Sequence, residues 1–123
     1  FSQLLGAEIV AFSTENCELR IPIAASHRQQ HGFVHGGVLA YAADNALTFA
    51  GGAALGPRVV TSEFKVNYLR PARGEVLVAR ACVVHAGKSQ AVCRCSIFSV
   101  SGEAEVLCAV AQGTIAVMGR VEP

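Results

Sequence analysis

The stretch HGGVLAYAADNALTFA, which spans residues 35–50, decides the fold of this chain. Alanine and leucine dominate it after the glycine pair and no proline interrupts it, so it predicts a helix of about four turns. The helix is apolar nearly all round, and we therefore expect the rest of the protein to cover most of its faces. The second glycine pair, at 51–52, is typical of a helix C-cap and predicts where the helix ends.

One carboxylate lies within this helix and makes it a candidate site as well as a core element. A carboxylate in a buried helix is unfavourable unless it is paired, hydrogen-bonded or protonated, which makes Asp44 the first candidate for chemistry. At the front, Gly36 and Gly37 let a ligand approach the backbone closely. The free N–H groups of a helix N-terminus would point at that ligand.

Runs of strand-forming residues flank the predicted helix on both sides. Two short runs before it, divided by a turn signal at Glu15 and Asn16, predict a hairpin, and Pro22 suggests an edge position or a strand end. Four longer runs after it are separated by short turns, so we predict an antiparallel meander. Because a long apolar helix needs a sheet to cover it, the predicted fold is α+β, an antiparallel β-sheet wrapped around one central helix. The predicted strands are residues 7–14, 17–23, 59–69, 75–85, 89–100 and 105–118.

Composition narrows the class of protein. The 123 residues suffice for one domain, 1–123, and 52% hydrophobic against 15% charged residues predicts surface hidden in an oligomer. A net charge of +1 gives no general attraction to nucleic acid. Asp44 and Asn45 interrupt the longest apolar run, so we expect no membrane span. The first residues carry no signal-peptide pattern, and we expect a cytoplasmic protein.

Cysteine and histidine patterns argue against a metal site. The five cysteines, which include Cys93 and Cys95 on one strand face, lie in apolar runs and are expected to be buried thiols of a reducing compartment. His27, His31 and His35 have a four-residue spacing that would align them on a helix. Glycines at 32, 36 and 37 oppose a helix there, and no carboxylate completes a ligand set, so we predict no metal and no cofactor.

Four motifs occur in order: HGG at 35–37, the acid at 44, TSEFKVNYLRPARG at 61–74 and GKS at 87–89. Together they resemble the hotdog-fold thioesterases, within the phenylacetate-degradation-type branch of the 4-hydroxybenzoyl-CoA thioesterase superfamily. The resemblance runs from about Gln29 to the C-terminus. It implies acyl-CoA thioester hydrolysis, with two subunits joining their sheets into one. It also implies sites shared between subunits, often in a dimer of dimers, with coenzyme A present only as part of the substrate.

The resemblance also implies roles for individual residues. Gly36 matches the backbone N–H that binds the thioester oxygen, and Asp44 matches a nucleophile or general base that faces the glycine turn of the partner subunit. Gln29 matches an amide that binds the carbonyl or orients water, although Gln30 is an alternative. A supporting hydroxyl is expected from Thr48, one turn after Asp44, or from Ser62 on the following strand, with Ser62 slightly favoured.

Further residues are expected to contact the substrate. His35 and Gly37 would line the thioester pocket. The cations Arg70, Arg73 and Lys88, with Ser89 beside the last, are candidates for the CoA phosphates, since arginine makes bidentate phosphate contacts and lysine acts as a point charge. Lys88 and Ser89 belong to a turn that matches the family.

Two other functions remain open at this point. A non-catalytic module that binds acyl-CoA would use the same pocket but would not need Asp44. A hydratase or dehydratase on the same fold would pair a histidine with an acid, and the histidine of the glycine turn is the one candidate for that arrangement. The acyl group is not determined by the sequence, which leaves aryl-acetyl, benzoyl and medium-chain groups open.

Overall fold

The computed structural model describes residues 6–12 and 16–119. Within these ranges it contains six strands, one 20-residue helix and one 3₁₀ turn. The strands are β1 (Glu8–Phe12), β2 (Asn16–Pro22), β3 (Val59–Tyr68), β4 (Val76–Ala86), β5 (Gln90–Ser101) and β6 (Ala104–Val117); the helix α1 is Gly36–Leu55 and the 3₁₀ turn is Ala25–His27. The predicted strand bounds that fall on described residues agree with these to within a few residues, whereas Thr14, the predicted end of the first strand, lies outside the described residues. Asn16 begins β2 and Pro22 ends it, whereas Glu15 lies outside the described residues.

Among the described residues, the strands form one antiparallel sheet in the order β1-β2-β4-β5-β6-β3. The predicted hairpin of the first two strands is confirmed. The predicted four-strand meander is wrong for β3, which pairs with β6 at the far edge. The segment after β3 is a crossover instead of a tight turn. It lies against the loop before α1, where the Val34 N–H donates to the Ala72 carbonyl at 3.0 Å.

Helix α1 packs along the inner face of this sheet, as predicted. Its buried positions are Val38, Leu39, Ala42, Ala43, Ala46, Leu47, Ala50 and Gly51. They meet small and branched side chains from β2, β4, β5 and β6 in one core. Small residues let the helix approach the strands closely, and the exposed side of the helix includes Phe49. No helix of the described ranges is both long enough and apolar enough to cross a membrane.

The predicted end of α1 at Gly51 and Gly52 is wrong, because the helix continues to Leu55 and Gly56 follows it with a φ of 103°. Gly51 has a packing role instead. A Cβ at this position would lie 2.6 Å from the Cβ of Ile115 on β6, so the helix touches the sheet through its backbone here. Gly56 has a positive φ, which residues with a Cβ rarely adopt, so a glycine ends the helix here at little steric cost.

Candidate active site

The first turn of α1 presents free backbone donors. His35 precedes the helix, and its N–H donates to the His27 carbonyl at 2.8 Å, which fixes the approach of the chain. The His27 ring is buried and accepts the Ala24 N–H on Nδ1 at 3.0 Å. Among the described residues the N–H groups of Gly36 and Gly37 have no acceptor. Such groups attract negative charge, and so they suit an oxygen that becomes an anion.

A cavity of about 340 Å³ opens beside this turn. Three of the predicted site residues, Gln29, Gly36 and Arg70, line it together. The other lining residues, Phe33, Val34, Leu39, Tyr68, Leu69, Pro71 and Ala72, are mainly apolar. Gln29 is half-buried, and its N–H donates to the Phe33 carbonyl at 2.7 Å. The alternative, Gln30, is exposed and is not part of the lining.

Tyr68 joins the end of β3 to the first turn of the helix. Its hydroxyl donates to the Gly36 carbonyl at 3.0 Å. A Cβ at position 36 would meet the Tyr68 ring at 3.4 to 3.5 Å, so the ring covers the Cα of Gly36. Tyr68 was not among the predicted site residues, because its sequence context does not distinguish it from other strand residues. It is 55% exposed, and it closes one wall of the cavity.

Asp44 lies elsewhere on the helix, in a cluster of two hydroxyl groups. It is eight residues, or about 12 Å of helix axis, from Gly36, and it does not line the cavity of its own chain. Its Oδ1 accepts the Thr61 hydroxyl at 2.5 Å. Thr48 donates to the Asp44 carbonyl oxygen at 2.7 Å, and its Oγ1 lies 3.0 Å from that of Thr61. The carboxylate is half-buried.

The number of available hydrogens determines which protonation states of Asp44 this cluster can stabilise. With Asp44 ionised, the two hydroxyl hydrogens serve two of the three contacts, and none remains for the contact between Thr48 and Thr61. If Asp44 gains a proton and donates it to Thr61, then Thr61 donates to Thr48, and all three contacts are satisfied. The cluster can therefore hold Asp44 in place both before and after it accepts a proton, as a general base requires.

The hydroxyl beside Asp44 comes from Thr61, which sequence reasoning missed. Ser62, the favoured candidate, is exposed, and the register with β6 shifts between Thr61 and Glu63. Phe64 and Val66 pack toward the core, and counting back from them in a regular strand would place Ser62 on the helix side. A bulge reverses that expectation. The role predicted for Ser62 is not tested by this placement, but within one chain the structure brings Thr61 and Thr48 to Asp44.

The candidate phosphate-binding residues fall into two groups. Arg70 donates to the Leu107 carbonyl at 3.2 Å, and the Arg73 guanidinium stacks 4.3 Å from the Phe33 ring, so both lie near the cavity. Lys88 and Ser89 form the turn between β4 and β5 at the other end of the sheet. The partner of Tyr68 on β6 is Ala109 and that of Gln90 is Ala116, seven positions apart, so the two ends of the sheet are separated by about 23 Å.

Cysteine thiols and histidine rings are the other groups of this chain that could act as nucleophiles or metal ligands. Burial raises the pKa of the Cys95 thiol to about 12 and that of Cys17 to about 11, so these thiols are protonated near neutral pH and are poor nucleophiles. Cys93 and Cys95 are both buried, as predicted. Of the three histidines with four-residue spacing, His31 and His35 are exposed. In the part of the chain that the structure describes, no three His, Cys, Asp or Glu side chains gather in a way that could hold a metal ion.

Comparisons with known proteins agree on one family. A model of the thioesterase superfamily matches residues 31–106. A thioesterase family protein from Silicibacter pomeroyi is 34% identical, with a TM-score of 0.89 over 96% of this chain and 89% of that chain. The PaaI protein from the phenylacetic acid degradation operon of E. coli is 26% identical, with a TM-score of 0.83 over 96% and 83%. A 1,4-dihydroxy-2-naphthoyl-CoA hydrolase from Listeria monocytogenes is 26% identical over 94% of this chain and 93% of its own length.

Proposed function

Because this chain belongs to the thioesterase superfamily, we propose that it hydrolyses acyl-CoA thioesters to a free acid and CoA at sites built from two copies of the chain. Family membership confirms the predicted resemblance and the hotdog fold. The similar hydrolase that acts on a naphthoyl-CoA supports the same chemistry for this chain. The observation that carries the proposal is the separation, within one chain, of the free Gly36 N–H from the Asp44 carboxylate.

The chemistry follows from these two groups. The thioester oxygen accepts hydrogen bonds from the Gly36 turn, and these bonds strengthen as the carbonyl becomes an oxyanion. In a general-base route, Asp44 takes a proton from water as the water oxygen attacks the carbonyl carbon, and the tetrahedral intermediate then breaks its C–S bond and expels CoA thiolate. In a nucleophilic route, an Asp44 oxygen attacks the carbonyl carbon, the C–S bond breaks to give an anhydride and CoA thiolate, and water then cleaves the anhydride. In both routes the thiolate takes up a proton. Gln29, in the wall beside Gly36, is suited to hold the carbonyl or the attacking water.

A second copy of the chain supplies what one chain lacks. Gly36, Gln29 and Arg70 line the cavity at the start of α1, whereas Asp44 with its two threonines lies about two turns further along. In a two-fold symmetric dimer each copy gives both halves, so that Asp44 of one copy can face the Gly36 turn of the other. Lys88 would then approach a shared site on the Asp44 side, and Arg70 on the Gly36 side.

Strand β3 has the properties expected of the surface that joins the copies. Within the sheet of the described residues it is an edge strand, paired with β6 on one side. Long unpaired edges invite strand pairing, and apolar side chains at and near this edge are exposed: Val60 at 49%, Tyr68 at 55% and Leu69 at 49%. Two β3 edges paired antiparallel would make one continuous sheet. We propose this dimer, and a dimer of dimers, as the assembly.

The proposal is tested by measuring release of the CoA thiol, with a thiol-reactive dye, from a panel of benzoyl, phenylacetyl and medium-chain acyl-CoA substrates. We expect turnover of at least one substrate by the wild-type protein, and a loss of orders of magnitude in Asp44→Asn, which is nearly isosteric and should keep the fold. The panel also identifies the acyl group. Binding of acyl-CoA without release by the wild-type protein would contradict hydrolysis and would favour a binding module.

A further inference from the structure

Two residues of β3 contact α1 at functionally important points. Thr61 donates to Asp44, and Tyr68 donates to the Gly36 carbonyl. These residues are seven apart in sequence. In a regular strand, residues an odd number apart point to opposite faces of the sheet, so Thr61 and Tyr68 could not both reach the helix. One extra residue must therefore be inserted between them.

The inserted residue is Ser62. Thr61 pairs with Ile115 and Glu63 pairs with Thr114, which is the residue before Ile115, so Ser62 has no partner residue in β6. This pattern is a β-bulge, which bends a strand and changes the face to which its side chains point. The bulge brings Thr61 to the helix side while Phe64 and Val66, beyond it, also pack toward the core.

Gly113 on β6 accommodates the bulged backbone. It pairs with Phe64, and a Cβ at position 113 would lie 2.6 Å from both the Glu63 carbonyl oxygen and the Phe64 Cβ. Directly opposed Cβ atoms in antiparallel sheets are normally about 4.5–5.5 Å apart. Gly113 does not have a positive φ, so it is required for space and not for its backbone conformation. On the outer face, the Thr114 hydroxyl donates to Glu63 Oε1 at 2.7 Å and holds the bulge from the other side.

We propose that the bulge at Ser62, seated on Gly113, is a positioning device that aims the Thr61 hydroxyl at Asp44. This inference rests on the proposed role of Asp44. A methyl group at position 113 pushes Glu63 and Phe64 away from β6, and Thr61 moves with them. Asp44 then loses its hydroxyl donor, while the cavity at Gly36 and the cations that would bind CoA are unchanged. Gly113 is thus a positioning residue that acts through Thr61 and contacts no substrate.

A double-mutant cycle tests this route. Gly113→Ala is expected to lower kcat about tenfold or more and to leave KM within about twofold, and Thr61→Val to do the same. If Gly113 acts through Thr61, adding Gly113→Ala to Thr61→Val lowers kcat no further. Thr61→Ser keeps the hydroxyl and should retain most of the activity. The control is Ile21→Val on β2, which loosens the buried core away from β3 and should lower the melting temperature with kcat unchanged.

The outcomes separate the two proposals. If Asp44→Asn still turns over substrate, the proposed function fails whatever Gly113 does. If Asp44→Asn is inactive but folded Gly113→Ala has wild-type kcat, or if its effect multiplies with that of Thr61→Val, the positioning role is refuted. Should Gly113→Ala not fold, Thr114→Val carries the same test from the exposed face. Thr114→Val should lower kcat by a few fold in the wild-type background, and it should cause no further loss in a chain that already carries Thr61→Val. Equal losses in both backgrounds overturn the inference.

Discussion

Replacing Gly36 by proline removes one N–H donor while keeping the helix. Gly36 is the first residue of α1, the one helical position where proline is well tolerated, because the N–H there has no partner within the helix. The preceding residue, His35, has φ −56° and ψ 138°, an extended conformation that is compatible with a following proline. A Cβ at position 36 is in ordinary contact with Tyr68, at 3.4 Å, so the ring needs little room to adjust.

We expect Gly36→Pro to lower kcat by about 10²–10³, which corresponds to the loss of one oxyanion donor, or about 2.7–4 kcal/mol of barrier. Gly36→Ala is the matched control, since it adds the same Cβ but keeps the N–H, and it should lose far less. Tyr68→Phe is a second control, because it removes the hydrogen bond to the Gly36 carbonyl and leaves the donor.

Thiol release under saturating acyl-CoA gives kcat, and circular dichroism with light scattering verifies that helix and assembly persist. If folded Gly36→Pro has the same kcat as Gly36→Ala, then the Gly36 N–H does not stabilise the oxyanion, and the donor assignment is refuted. Any loss of activity that the two variants share is then explained by steric exclusion by the Cβ.

Three further results are expected. Asp44→Asn and Gly36→Pro, each inactive alone, should regain about a quarter of wild-type activity when mixed, because about half of freely exchanging dimers are mixed and each holds one intact site; no recovery despite exchange seen by mass spectrometry would place both groups in one chain. Lys88→Ala should raise KM for acyl-CoA up to about fivefold at constant kcat, as an exposed ion pair contributes about 0.2–1 kcal/mol, and an equal effect on a pantetheine thioester without the nucleotide would exclude a phosphate contact. Gly51→Ala should lower the free energy of unfolding in urea by about 1–3 kcal/mol through overpacking, whereas Gly52→Ala, whose Cβ would be 3.5 Å from its nearest neighbour, should not.

Features that depend on near neighbours in the chain can be predicted from the sequence. The glycine pair followed by an apolar, proline-free run predicted a helix, and α1 begins at Gly36. Runs of strand-forming residues predicted six strands, and the predicted ends that fall on described residues differ from those observed by only a few residues. The role of a single glycine is harder to predict, because a glycine can end a helix or can make room for a close contact. The sequence predicts a helix end at Gly51, but Gly51 lies against Ile115, and only the position of β6 reveals this.

By itself, the sequence determined that a long apolar helix carries one acid behind a glycine turn, and that an antiparallel sheet covers it, because helical and strand periodicities are set by residues a few positions apart. Tertiary structure decided which strand lies beside which, and hence that β3 is an edge paired with β6. It also decided that Thr61 meets Asp44, since a bulge reverses the faces of a strand and depends on the space that Gly113 leaves on a strand about fifty residues away. The separation of Gly36 from Asp44 is likewise a matter of packing, and it makes a second copy of the chain part of the proposed site.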